Sequence, residues 1–191
     1  LMFRGLMVYP PKGDVRTTIE FLADARKKFD AAGLGLEVVS TGGTPNLNSI
    51  GQCGETEYRS GTSIYNDRMM IGFDVATPGD CALHVYSTVI SHPVPGRIIL
   101  DAGSKALTSD LGGYDTFGIL PDYPAAKITK LYEEHGIVDV SASDDVPAIG
   151  EVVRVLPNHV CPVSNLFDEI LCLEESGRLR SLRIDARGKT A

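Results

Sequence analysis

The chain begins with an apolar run and continues with apolar residues at helical spacing. Residues 1–9 are mostly apolar and predict a buried strand. A helix is predicted next by a stripe of residues spaced three and four apart, namely Ile19, Leu22, Ala25, Phe29 and Ala32. Gly33 is expected to end this helix, and residues 36–39 predict a second strand. A strand, a helix and a strand in this order predict a βαβ unit with parallel strands.

From residue 75 onward the pattern changes to short β-branched runs separated by Gly, Pro and Asp. Strands are predicted for residues 81–91, 97–103, 126–132, 151–156, 169–173 and 179–184. Regular short strands with turn signals between them are typical of an all-β domain, which we expect to be antiparallel. The boundary between the two patterns is expected within residues 68–78.

Composition and charge narrow the class of protein. The 191 residues contain 43% hydrophobic and 23% charged residues, as in an ordinary globular protein. A net charge of -7 without a local Lys/Arg cluster argues against a nucleic-acid or anionic-membrane partner. No segment is long and apolar enough to span a bilayer, so we expect a cytoplasmic protein. The four cysteines show no C-x-x-C spacing and do not suggest a disulfide framework.

The candidate for metal chemistry is the pair His159 and Cys161, which follows the apolar run of residues 152–156. On an extended backbone, two residues at this spacing point to the same side. An imidazole and a thiolate are good zinc ligands, and two are too few to close a structural site. The pair therefore predicts a catalytic metal whose shell is completed by substrate or water. An ordinary strand end with a buried Cys and a half-exposed His is the alternative.

The candidate for anion binding lies where the second strand ends. Gly42 and Gly43 let the backbone approach an anion closely, and Thr41 and Thr44 add amide and hydroxyl donors. In a parallel barrel this end of the strands carries the active site. A plain loop is the alternative, since the spacing matches neither a P-loop nor a dinucleotide fingerprint.

A second loop is expected beside the first. Glu57 and Arg59 alternate on one face of a predicted strand, and Gly61 and Thr62 follow with further backbone donors. A solvated ion pair on an edge strand is the alternative interpretation.

Two motifs of the β part also combine charged and small residues. Residues 101–105 read Asp-Ala-Gly-Ser-Lys at a predicted strand end, and residues 133–136 read Glu-Glu-His-Gly. His135 is a candidate site residue. Turns with exposed charges are the alternative for both motifs.

Together these segments resemble the D-serine dehydratase and D-threonine aldolase family. The motifs that carry the resemblance are residues 40–45, Glu57 with residues 59–62, residues 101–105, residues 134–136 and residues 157–162. They occur in the family's order with similar separations. The resemblance implies an α/β plus all-β fold, in which residues 1–72 form the C-terminal part of a parallel (β/α) barrel like that of alanine racemase. Residues 73–191 would form an antiparallel β-domain, and the intact protein would be a homodimer.

The resemblance also implies two cofactors. Residues Thr41, Gly42, Gly43 and Thr44 would contribute to the phosphate site of pyridoxal phosphate, helped by the backbone of Gly61 and Thr62. Arg59 would lie near the pyridine nitrogen. His159 and Cys161 match the family's metal pair, and the His-x-Cys form suits zinc, whereas manganese suits the His-x-Asp form of the aldolases.

The implied function is that of a lyase acting on D-β-hydroxy amino acids. A D-serine dehydratase that releases pyruvate and ammonia is favoured, and a D-threonine aldolase that releases glycine and an aldehyde is the alternative. The family's Schiff-base lysine lies on the first barrel strand, and no lysine of this chain follows such a strand, so we expect no catalytic lysine within it. A cofactor carrier of the same barrel type and a non-catalytic metal-binding fragment are the rival functions.

Overall fold

The computed structural model describes residues 2–189 and divides into two compact units. The first unit runs to Ile64 and includes Met70–Thr77, and the second holds Tyr65–Met69 and the chain from Pro78 onward. None of the helices within the described residues is both long enough and apolar enough to cross a membrane. None of the four cysteines, which all lie within residues 2–189, forms a disulfide bond. The assignment of residues 1–72 to a barrel and of residues 73–191 to a separate domain stays a prediction.

The first unit is built on a three-stranded parallel sheet. Its strands are β1 (Gly5–Met7), β2 (Val38–Gly42) and β3 (Glu57–Arg59), in that order. Helix α1 (Val15–Ala31) connects β1 to β2, so the predicted parallel βαβ unit is confirmed. The prediction of a buried strand over residues 1–9 is wrong for the described part of that run, because only three residues form β1 and the run is largely exposed.

Helix α1 begins and ends at recognisable signals. The Asp14 carboxylate accepts a hydrogen bond from the Thr17 amide at 3.0 Å, as an N-cap does. Leu22 and Ala25 of the predicted stripe are buried, whereas Ile19 is exposed. Gly33 has a φ of 70° directly after the last turn, a conformation that an L-residue rarely adopts, so the predicted helix end is confirmed.

The second unit is a five-stranded antiparallel sheet with an additional hairpin. Helix α2 (Arg68–Gly72) precedes the sheet, whose spatial strand order is β6, β7, β5, β4, β8. These strands span Val85–Val94 (β4), Arg97–Leu100 (β5), Lys127–Leu131 (β6), Gly136–Asp139 (β7) and Val152–Val155 (β8). The hairpin consists of β9 (Glu169–Leu173) and β10 (Leu179–Arg183). The six predicted antiparallel strands are confirmed, but residues 81–84 and 101–103 of the predicted ranges lie outside β4 and β5, and β7 is an additional strand.

The core of the second unit lies against one face of this sheet. Its fully buried members include Val89, Ile98, Leu100, Ile128 and Val138. Fully burying such a side chain is worth about 1.5–3 kcal/mol relative to leaving it exposed. Two short helices, α3 (Ser104–Leu107) and α4 (Val160–Ser164), follow β5 and β8. The sheet thus fixes the strand ends from which the candidate site residues emerge.

Candidate functional site

The stretch that carries His159 and Cys161 leaves strand β8 and turns into helix α4. His159 is the N-cap of this helix and still has extended backbone angles, with φ -136° and ψ 106°. Cys161 already lies in the first helical turn. The prediction that both residues share an extended backbone is therefore wrong, because the chain becomes helical at Val160.

The two side chains nevertheless meet. The pKa of His159 is raised to about 9, and a hydrogen bond with Cys161 is the largest cause. Burial lowers this pKa, and a second hydrogen bond, with Asp110, raises it further. Cys161 is exposed, and the His159 side chain retains 31% of its accessible surface. The structure thus brings the two predicted metal ligands together at an accessible position.

Asp110 is a site residue that the sequence did not indicate. Its Oδ2 lies 2.6 Å from Nδ1 of His159. The hydrogen bond with His159 is also the main cause that lowers the pKa of the Asp110 carboxyl below its ordinary value. The only sequence signal was an Asp ahead of two glycines, which predicts a turn and nothing more specific.

Asp67 fixes the beginning of helix α4. This carboxylate is fully buried, and its Oδ2 accepts a hydrogen bond from the Val160 amide at 2.8 Å. The amides of Arg68 and Met69 donate to the carbonyls immediately before His159, at 3.1 and 3.2 Å. The segment from Asp67 to Met69 therefore holds the backbone on both sides of His159.

Asn158 connects the same stretch to other loops. Its side-chain amide donates to the carbonyls of Leu111 and Thr116, at 3.0 and 2.6 Å, and its Oδ1 accepts from Arg68 at 3.1 Å. The Arg68 guanidinium also lies 3.9 Å from the centre of the Tyr114 ring. These contacts hold the backbone around His159 in place from several sides.

The donor set of this site fits an incomplete metal shell. Within residues 2–189, no group of three or more His, Cys, Asp or Glu side chains is arranged to hold a metal ion. One imidazole nitrogen and one thiolate therefore supply two ligands, which is too few for a closed structural zinc site. A catalytic zinc ion with open positions is compatible with this pair.

The predicted phosphate loop lies at the carboxyl end of β2. Gly42 and Gly43 have φ angles of 134° and 130°, which L side chains rarely adopt. A Cβ on Gly42 would lie 2.4 Å from the Arg59 amide nitrogen, and one on Gly43 would lie 2.6 Å from the Tyr9 ring. The amide of Gly43 donates to the Arg59 carbonyl at 2.8 Å. Gly42 is thus required by packing against the Arg59 backbone and Gly43 is favoured by its backbone angle, and the amide of Gly43 is already used.

The flanking threonines differ in what surrounds their hydroxyls. Thr41 is buried, and its Oγ1 has no hydrogen-bond partner. The Oγ1 of Thr44 accepts from the Ser63 amide at 3.2 Å, which joins the first glycine loop to the loop of Gly61 and Thr62. The structure therefore brings the two predicted loops together, and the orphaned hydroxyl of Thr41 fits a site for a phosphate oxygen.

Arg59 is the last residue of β3, and it pairs with Gly42 of β2. Its Nε donates to Ser40 Oγ at 3.0 Å, and its Nη2 donates to the Val8 carbonyl at 3.0 Å. Ser40 Oγ in turn donates to the Glu57 carboxylate at 2.5 Å. Ser40, Glu57 and Arg59 line a shallow, open depression of about 460 Å³. The Arg59 guanidinium is thus held by Ser40 of β2 and by Val8, which follows β1, and it borders this open depression.

The other two motifs meet each other but belong to the sheet. The Ser104 and Lys105 amides donate to the Tyr132 and Glu133 carbonyls, at 2.7 and 3.1 Å. The Lys105 ammonium pairs with both carboxylates of the second motif. His135 is exposed. These contacts give both motifs a structural role in joining α3 to the β6–β7 turn.

Comparison with known proteins assigns the chain to a family. Residues 82–173 match the family described as "Putative serine dehydratase domain". A protein of Mycobacterium tuberculosis, named only as uncharacterized, is 36% identical over 131 residues, which are 66% of this chain and 98% of that protein. A D-threonine aldolase of an Arthrobacter species is 31% identical over 160 residues, which are 82% of this chain and 41% of the aldolase.

A D-threo-3-hydroxyaspartate dehydratase of a Delftia species is 33% identical over 175 residues, covering 82% of this chain and 46% of the enzyme. The chain thus spans about half the length of the characterised relatives that it matches. The solved structure of the Delftia enzyme superposes with a TM-score of 0.80 at 26% identity, over 94% of this chain and 55% of that one. The same enzyme has also been solved as two mutants. One has a His replaced by Ala. The other, in the metal-free form, has Ala in place of a Cys two residues after that His.

Two further solved structures support the fold alone. The D-threonine aldolase of Filomicrobium marinum superposes with a TM-score of 0.82 at 23% identity, covering 100% of this chain and 55% of the aldolase. An alanine-racemase-like protein of Idiomarina loihiensis gives 0.78 at 22% identity, over 95% of this chain and 55% of that one. The fold and the sequence relatives agree with the resemblance seen in the motifs, and the chain belongs to the D-serine dehydratase and D-threonine aldolase-like family.

Proposed function

We propose that this chain is part of a lyase that depends on pyridoxal phosphate and zinc and acts on D-β-hydroxy amino acids. The favoured reaction is the dehydration of D-serine to pyruvate and ammonia. The observation that carries the proposal is the contact between His159 and Cys161, two soft ligands held side by side at an accessible position.

The dehydratase branch is favoured by the metal pair. The Delftia dehydratase has a His and a Cys at the same spacing, and its Cys to Ala mutant is described as metal-free. By analogy, we assign the imidazole of His159 and the thiolate of Cys161 as zinc ligands here. A thiolate favours zinc over the harder manganese ion, which prefers carboxylate oxygen. D-threonine aldolase activity is the second candidate, because the Arthrobacter aldolase is 31% identical.

The cofactor assignment rests on the first unit. The unpartnered hydroxyl of Thr41 and the joined loops of Gly42 and Gly61 would hold the phosphate of pyridoxal phosphate. Arg59 would orient the pyridine ring, because its guanidinium is fixed by Ser40 and the Val8 carbonyl.

Each group supplies one part of the chemistry. When bound, pyridoxal phosphate would supply an acceptor for the electrons released at the substrate Cα, and zinc would supply positive charge beside the departing hydroxyl oxygen. The task of His159 and Cys161 is to hold the ion while leaving positions open for that oxygen. The Asp67 carboxylate keeps the backbone of this pair in place through the Val160 amide. We further propose that the intact enzyme is a cytoplasmic homodimer.

The test uses a polypeptide of the relatives' full length that carries residues 1–191. We expect it to release pyruvate and ammonia from D-serine in the presence of pyridoxal phosphate and zinc, and to contain about one zinc per chain. The double variant His159→Ala, Cys161→Ala should lose both the zinc and the activity. His135→Ala is the matched control, because that histidine is exposed on the β6–β7 turn. Release of glycine and acetaldehyde from D-threonine without dehydration of D-serine would favour the aldolase, and turnover of neither substrate would refute the proposal.

A further inference from the structure

We propose that Asp110 is a positioning residue for the metal ligand His159, and that the loop from Thr108 to Gly112 is built to present its carboxylate. This inference rests on the proposed function, because it takes His159 and Cys161 as metal ligands.

The first argument is that the Asp110 carboxylate binds Nδ1 of the His159 ring and leaves Nε2 for a metal ion. Asp110 Oδ2 lies 2.6 Å from Nδ1 of His159, a short distance of the kind that charge assistance produces in a hydrogen bond. A carboxylate at Nδ1 keeps the proton there and directs the lone pair of Nε2 outward, which is the nitrogen that then binds a metal ion. A carboxylate behind a histidine ligand also fixes the ring orientation and raises its basicity.

The second argument is that the carboxylate is itself oriented. Asp110 Oδ1 accepts a hydrogen bond from the Gly112 amide at 2.9 Å, and the Asp110 amide donates to Thr108 Oγ1 at 3.2 Å. The two carboxylate oxygens therefore have separate partners, one within the loop and one on the histidine. An oriented carboxylate presents a lone pair to Nδ1 at lower entropic cost than a free one does.

The third argument comes from the backbone. Thr108 has a φ of 62°, a conformation that is a genuine outlier for a β-branched residue. Strain of this kind persists only where the surrounding structure imposes it, and it is concentrated at functional sites. Here the strained residue provides the hydroxyl that accepts from the Asp110 amide.

The fourth argument is an independent contact between the loop and the metal stretch. The Asn158 side chain donates to the Leu111 carbonyl at 3.0 Å. A Cβ on Gly112 would lie 2.7 Å from Met69 Sδ and 3.8 Å from Asn158 Cβ, so the loop packs closely at this point. The position of Asp110 relative to His159 is thus set by contacts other than their own hydrogen bond.

An ordinary surface ion pair is the competing interpretation. The two side chains retain 31% and 45% of their accessible surface, and exposed pairs contribute little to stability. The two interpretations differ in what they predict, because a surface pair would have no influence on metal binding.

The experiment is a titration of the purified chain with cobalt(II), a spectroscopic substitute for zinc that shows a thiolate-to-cobalt absorption band. Asp110→Ala should weaken cobalt affinity by about 10–100-fold, as losses of such supporting residues do elsewhere. The thiolate band should persist at saturation, because Cys161 is unchanged. Asp110→Asn should lose less, since its amide oxygen still accepts from Nδ1. The matched control is Asp122→Ala, which removes another exposed carboxylate, paired with Arg154 at 2.7 Å, and should bind cobalt as the wild type does.

The outcomes separate this inference from the proposed function. If the wild type binds cobalt and Asp110→Ala binds it equally tightly, the positioning role is refuted and the metal pair stands. If the wild type shows no thiolate band, the metal pair fails, and the positioning role fails with it. Should Asp110→Ala not fold, as judged by circular dichroism, Asp110→Asn decides: a several-fold loss of affinity supports the role, and unchanged affinity refutes it.

Discussion

The two candidate sites differ in how their residues are held. At the metal pair, the buried Asp67 and the oriented Asp110 supply supporting contacts from other parts of the same unit. At the phosphate loop, the glycines are fixed by packing, whereas the hydroxyl of Thr41 remains without a partner. The first candidate site is thus held by its surroundings, and the second contains a polar group without a partner. This difference predicts which substitutions should lower stability and which should weaken binding.

The largest expected effect concerns the glycines of the phosphate loop. Gly42→Ala would place a Cβ 2.4 Å from the Arg59 amide nitrogen at a φ of 134°, and the atoms it meets are backbone that cannot move aside. We expect the free energy of unfolding to fall by about 3–5 kcal/mol. Gly61→Ala is the matched control, because nothing lies within 4 Å of its added Cβ, and its effect should stay within about 0.5 kcal/mol. Urea unfolding followed by circular dichroism measures both, and equal losses would contradict the packing role of Gly42.

The next effect concerns the buried carboxylate behind the metal pair. Asp67→Ala leaves the Val160 amide without its acceptor and should cost about 1–3 kcal/mol of unfolding free energy. Cobalt affinity should fall as well, since the start of α4 carries Cys161. Asp122→Ala removes an exposed ion pair and should change stability by about 0–1 kcal/mol without changing cobalt affinity. Wild-type cobalt affinity in Asp67→Ala would show that the cap supports the fold alone.

A smaller effect distinguishes the two threonines of the phosphate loop. Thr41→Val replaces an unpartnered buried hydroxyl by a methyl group, so the stability of the cofactor-free protein should be unchanged or rise by up to about 1 kcal/mol. Thr44→Val removes the acceptor of the Ser63 amide and should lower stability by about 1 kcal/mol. Thermal unfolding measures both variants. A clear loss of stability in Thr41→Val would mean that its hydroxyl is already satisfied.

What the sequence could predict follows from the range of the contacts involved. Gly33 and the parallel βαβ unit were predictable, because helix ends and hydrophobic period are local patterns. Asp67 and Asp110 were not, since they lie 93 and 49 residues from their partners in the metal stretch. Contacts of such separation leave no trace in a single sequence.

The helix after His159 was predictable in principle. Pro162 lies in the first turn of α4, where the missing amide of a proline costs nothing because those amides have no helical partner. The apolar run before His159 favoured an extended backbone instead, and that expectation failed at Val160. The two ligands still meet, because the N-cap position and the first helical turn bring His159 and Cys161 within hydrogen-bonding reach.

The smallest effect uses two histidines of the second unit whose pKa values shift in opposite directions. Contacts with Cys161 and Asp110 raise the pKa of His159, whereas burial, followed by the charge of Arg154, lowers the pKa of His84 below its ordinary value of 6.5. A His with a lowered pKa favours the neutral form in the folded state. Its contribution to stability is therefore complete above pH 6.5 and is lost as the pH falls through the folded pKa.

The measurement for His84 is an NMR titration of its ring proton, whose midpoint should lie below 6.5. His84→Gln should reduce the loss of stability between neutral and mildly acidic pH, because the glutamine does not titrate. Asp122→Ala should lower the His84 midpoint further, since the charge of the Asp122 carboxylate raises the pKa of His84. A midpoint at or above 6.5 would mean that the His84 ring is more hydrated than its burial indicates. The pKa values of His84 and His159 would then not shift in opposite directions.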